Sequence, residues 1–89
     1  MEFDWDDGNR AKCLKHGLSH EEIEHAMRHA LRIATDPAHS AAEQRFIAVS
    51  RTAEGRPVFV VFCERGGKVR PISARYMHRK EAIHHGIAS

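Results

Sequence analysis

The stretch that most limits what this chain can become is PVFVVFCERGGKVRPISARYM, from Pro57 to Met77. Two runs rich in β-branched and aromatic residues flank Gly66 and Gly67, and this reads as two antiparallel strands joined by a tight turn. The first run has little polar alternation, so it is expected to be the central strand, buried on both faces. Pro71 cannot donate to a ladder, so the second run is expected at an edge, or Pro71 near that strand's start. Just upstream, RFIAVSRT alternates Phe46, Ala48 and Ser50 against Arg45, Ile47, Val49 and Arg51, and Gly55 turns the chain before Pro57. Three strands in a meander follow.

The first half has another period. Ser19-x-x-Glu22 is a capping box, and Ile23, Ala26, Met27, Ala30, Leu31 and Ala34 follow at helical spacing. A helix is therefore expected to run to about Ala34. DDGNRAKCLKHG offers Asp6 or Asp7 as an N-cap, Ala11 and Leu14 (with the Lys15 stem) as an inner face, and Gly17 as a stop. EFDWD alternates and reads as a short strand. TDPAHSAAE, with Pro37, reads as a loop, and HRKEAIHHGI as a short closing helix. The expected order is β-α-α-β-β-β-α: one α+β domain over residues 1–89, an antiparallel sheet with helices on one side.

Eighty-nine residues allow one modest core. No apolar run approaches the ~18 residues of a membrane span. The acidic N-terminus does not resemble a secretory signal, so Cys13 and Cys63 are expected as free buried thiols in a cytoplasmic protein. Charge is unevenly spread. Residues 1–44 hold five Lys/Arg against nine acids, and residues 45–89 hold nine against three. A basic half suits a polyanion.

The basic residues concentrate where the third meander strand meets the last helix. Arg79 and Lys80 would sit in that helix's first turn and oppose its dipole, a local cost that functional sites tend to show. A free helix N-terminus beside cations is also a ready anion site. Arg75 and Arg79 suit bidentate phosphate contact, His78 can act as acid or base, and Tyr76 can stack on a base. Metal-free RNA cleavage needs such parts: proton transfer at the 2′-OH and the leaving oxygen, and cations for the charge on phosphorus. Glu43 and Arg45, two apart, face one way in an extended chain and could extend that surface with Arg51. Lys15 and His16 present a cation and an imidazole at a helix end. His25 and His29 are four apart and could offer two metal ligands, but the polar face of an amphipathic helix explains them as well.

FDWDDGNRAKCLKHGLS, DPAHSAAEQRFIAVSRT, GRPVFVVF and RPISARYMHRKE together resemble the BrnT family of ribonuclease toxins. That resemblance implies a compact RelE-like fold and metal-independent RNA cleavage, without a cofactor, that arrests translation and growth. It also implies a BrnA-like antitoxin with a ribbon-helix-helix DNA-binding part, through which alone the toxin meets operator DNA. It gathers Lys15, His16, Glu43, Arg45, Arg75, Arg79 and Lys80 into a common region. Where many members carry Thr, forming a Thr-x-x-Glu cap, this chain has His78. It has Ser50 for a common Gly, and HHGIAS where an aromatic is usual near His85. The last two departures motivate a second reading: a non-catalytic co-repressor that helps the antitoxin hold its operator.

Overall fold

The computed structural model describes residues 1–39 and 43–88. Helices α1 (Asp7–Leu14) and α2 (His20–Arg28) come first, then strand β1 (Arg32–Thr35) and a 3-10 turn at Pro37–His39. Strands β2 (Phe46–Arg51), β3 (Pro57–Arg65) and β4 (Lys68–Tyr76) follow, and helix α3 (Arg79–His84) closes the chain. The sheet is antiparallel throughout, in the order β1-β2-β3-β4. The α+β class holds, but the observed order is α-α-β-β-β-β-α. Ser40–Ala42, part of the expected loop, lie outside the described residues.

Four expectations are corrected. The N-terminal strand is reduced to one parallel bridge, Phe3 to Val69. The main helix ends at Arg28, and Arg32–Thr35 becomes the edge strand β1, paired residue by residue with Val49–Phe46. Helical spacing continued through Ala34, but the open edge of β2 offered a backbone partner that solvent-exposed helix turns could not match. Ser50 fixes the break. Its buried hydroxyl donates to the carbonyl of Ala26, at 2.8 Å, which otherwise accepts only a 3.3 Å bond from the capping His29 N–H, and to that of His29, at 3.2 Å. Ser50→Ala is expected to cost about 1 kcal/mol, because the Ala26 carbonyl keeps only its bond from the His29 N–H and the His29 carbonyl loses this donor. Urea denaturation of the two proteins measures it.

The third correction concerns the layers. One face of the sheet, with Ala48, Val58, Val60, Phe62 and Ala74, packs on Cys13, Leu18, Ile23, Ala26 and Met27 of α1, α2 and their connection. The other face is not bare, because Val49 and Phe59 pack with Met77, Ala82 and Ile87, so α3 and the C-terminal tail lie opposite the first two helices. The β3 strand is central, as expected, but Val58, Val60 and Phe62 bury their face more deeply than Phe59 and Val61 do theirs. On β4, which is an edge, Val61 pairs with Ser73 and Phe62 with Pro71, leaving Ile72 as a bulge beside the proline. Gly66 and Gly67, at φ 60° and 77°, make the two-residue turn before β4.

Helix α1 also faces differently from its apolar pattern. Ala11 and Leu14 are exposed, while Asn9 and Cys13 point inward. The Asn9 amide sets this rotation by donating to the carbonyls of Pro71 (2.8 Å) and Asp4 (2.9 Å), while its Oδ1 accepts from the Asp6 N–H (2.8 Å). Cys13 and Cys63 are free and buried. Burial pushes the Cys13 thiol up to about 11.

Candidate active site

Strand alternation sorts the candidate residues by face. The face shared with α3 carries Arg32 and Ala34 of β1, Arg45, Ile47, Val49 and Arg51 in and before β2, Phe59 and Val61 of β3, and Ser73 and Arg75 of β4. The α3 helix covers only part of it. Beyond the helix an open hollow of about 190 Å³ remains, lined by Asp36, Arg45, Val61, Ile72 and Ser73. It adjoins a second hollow of about 270 Å³ lined by Gly8, Asn9, Lys12, Glu43, Arg45, Arg65, Arg70 and Ile72. Arg45 and Ile72 belong to both.

At the α3 end, Arg75 lies over the Phe59 ring, 4.5 Å from its centre. Its guanidinium donates two parallel hydrogen bonds of 2.7 Å to the Glu81 carboxylate. Three of its five N–H donors are left for another anion. His78 is the N-cap of α3, its Nδ1 accepting from the Glu81 N–H at 3.3 Å. The α1 and α2 helices each close a reciprocal capping box, the third residue's side chain reaching back to the N-cap N–H. In α3 that third residue, Glu81, takes Arg75 instead. The six-residue helix therefore offers less of an open anion site than its sequence suggests: His78 takes one N–H, and the His78 carbonyl takes that of Ala82. Arg79 and Lys80 occupy its exposed first turn. Arg51 donates to the Ile87 carbonyl and so ties down the tail.

Glu43 lies at the other end. It pairs with Arg65 at 3.4 Å and lies beside Cys63, whose thiol is pushed up by burial and by the Glu43 charge. Cys63 is four β3 steps from Phe59, about 13 Å along the strand. Glu43 and His78 therefore do not meet at one phosphate. Tyr76 belongs to the opposite face: Arg56 stacks on its ring at 3.5 Å, and its hydroxyl donates to Glu22. Lys15 caps α1 and His16 follows it, both exposed. His25 and His29 stack at 4.4 Å, but among the described residues no three His, Cys, Asp or Glu side chains assemble as a metal site.

Lys12, Arg32, Arg65 and His85 stand near these hollows or the α3 end without a motif that marks them in the sequence. His85 could have been flagged only by its place beside the basic junction. Arg70 has a structural post, held by Asp6 at 2.9 Å and Asp4 at 3.4 Å.

Three carboxyls lie below their ordinary range. Arg70's hydrogen bond lowers Asp6, the Ser19 backbone lowers Glu22, and the Arg75 fork lowers Glu81, with smaller pulls from His78 and His85. A depressed folded-state pKa gives stability that is complete above the unfolded value and lost as pH falls through the folded one. Tm is accordingly expected to hold steady down to about pH 5 and to fall steadily below about pH 4. A melting series across pH 2–7 checks this.

A small α+β domain that turns arginines, imidazoles and a half-apolar sheet face toward solvent belongs to the class suited to gripping nucleic-acid phosphates. The sequence narrows this to one family: the model for BrnT, the ribonuclease toxin of type II toxin–antitoxin systems, matches residues 5–81, and the chain belongs to that family. No curated protein matches the chain. Membership implies an antitoxin partner. No helix among the described residues is long and apolar enough to cross a membrane.

Proposed function

We propose that this chain is a metal-independent endoribonuclease with a compact RelE-like fold. It arrests translation and growth, and a BrnA-like antitoxin with a ribbon-helix-helix DNA-binding part neutralises it in the cytoplasm. The observation that carries the reading is Arg75, held over Phe59 by Glu81 and still able to give three N–H bonds to a phosphate. In this reading Arg75 and Arg79 bind the phosphate being cut and take up the charge that grows on it. Lys80, Arg45 and Arg51 hold neighbouring phosphates along the face, and Lys15 and His16 extend the basic surface. Glu43, with Arg45, Lys12 and Arg65 around its hollow, seats the strand away from the cut rather than joining the chemistry. Tyr76 stays outside the chemistry, since its ring is covered by Arg56.

His78 has two jobs that alternate. Its Nδ1 lone pair caps α3 only when the ring is neutral. The charged ring leaves the cap and can protonate the departing 5′ oxygen.

Induced expression without a partner tests the reading in cells. Growth and amino-acid incorporation are expected to stop, and cellular RNA to be cut. Continued growth with intact RNA, at confirmed expression of folded protein, would instead support the co-repressor reading.

A further inference from the structure

Cleavage through the 2′-OH needs a base as well as an acid, and both must reach one phosphate. Glu43, the carboxylate the sequence pointed to as part of this surface, stands about 13 Å along β3 from the Arg75 position. The α3 end holds another titratable ring. His85, the residue that ends α3, lies 6.0 Å from the centre of Phe59, the ring on which Arg75 rests at 4.5 Å. It is half-buried, and its backbone N–H donates to the Glu81 carbonyl, so the turn that carries it is fixed. The tail beyond it is pinned by Ile87 in the core and by Arg51.

We infer that His85 is a further catalytic residue, the base that takes the 2′-OH proton from the nucleotide whose phosphate Arg75 grips. The inference rests on the ribonuclease reading. Neutral His85 accepts the proton and the 2′ oxygen bonds to phosphorus. The bond to the 5′ oxygen breaks, and charged His78 gives that oxygen a proton. The products are a 2′,3′-cyclic phosphate and a 5′-hydroxyl. His85 ends charged and His78 neutral, and solvent exchange resets both. The charged groups packed around His85 favour this order. Glu81 on its own helix offsets the positive charge it gains, and Arg75 on β4 and Arg51 on β2 are each engaged with an oxygen partner; the neighbouring His84 ring, edge-on at 5.4 Å, takes no part.

The test compares wild type, His85→Phe and His84→Phe on a labelled single-stranded RNA in EDTA. Phenylalanine keeps a ring on Phe59 and removes the base. The expected result for His85→Phe is a kcat lower by about 100-fold or more. Its Tm stays near wild type, its affinity for a 2′-O-methyl RNA is unchanged, and the rise of rate with pH is lost. His84→Phe is expected to retain both rate and pH profile. His85→Phe that cuts at the wild-type rate, or keeps the wild-type pH profile, would overturn the assignment and leave the ribonuclease reading standing. Wild type that cuts no RNA would overturn both, and the wild-type arm alone would show it.

Discussion

Arg75→Ala/Arg79→Ala is expected to fold and bind RNA more weakly, but to cut it at least about 100-fold more slowly. Arg75 carries the larger share. Its fork is already oriented by Glu81 and by the Phe59 ring, so it meets phosphate charge with little reorganisation. Arg79 adds a cation one turn away, in the first turn of α3. Losing Arg75 leaves the Glu81 side chain, 19% exposed, without its partner. That costs about 1–2 kcal/mol, and the double variant should melt a few degrees lower. Circular dichroism separates this loss from the catalytic one. RNA affinity should also depend less steeply on salt, by about 0.7 in the logarithmic slope for each cation removed. Cleavage at near the wild-type rate by the folded variant would place the chemistry elsewhere, and the Glu43 hollow would be the first place to look.

Asn9→Ala is expected to be the most damaging single polar change to stability. The Asn9 side chain joins three segments: it donates to Pro71 on β4 and to Asp4 in the N-terminal segment, and it accepts from Asp6 at the start of α1. Asn9 is 3% exposed, so water cannot replace these bonds. Alanine leaves two carbonyls and one N–H without it, and the loss should be about 3 kcal/mol. Asn9→Asp, whose buried carboxylate would face the two carbonyls it can no longer serve, should be as unstable as the alanine variant. Chemical denaturation ranks the three, and an alanine variant as stable as wild type would contradict the account.

Asn9 also shows where the sequence misled. The apolar pattern of α1 pointed to Ala11 and Leu14, but the amide's long-range bonds turned the helix to bury Asn9 and Cys13. Period alone cannot reveal a bond across 62 positions of chain. The end of α2 was hidden for a similar reason. Helical spacing ran on through Ala34, while the deciding partners, Ser50 and the open edge of β2, lay in the second half. What depended on neighbours in the chain was legible: the Ser19–Glu22 box, the Gly66-Gly67 turn and the central place of β3.

The site divides the same way. Arg75, His78, Arg79 and Lys80 are close in sequence and stay close in the fold. The distance of Glu43 from Arg75 follows from sheet register and could not be read from spacing. Tyr76 fell on the other face because one strand step reverses a side chain. His85 came to share the Phe59 ring with Arg75 because Ile87 enters the core and the tail folds back there.

The measurement that bears most directly on this account is incubation of the purified wild-type protein with end-labelled single-stranded RNA in EDTA, followed by analysis of the fragment ends. The account predicts cleavage, with fragments ending in 2′,3′-cyclic phosphate and 5′-hydroxyl. Intact RNA after prolonged incubation with protein shown to be folded, or cleavage that appears only when a divalent metal is restored, would contradict it.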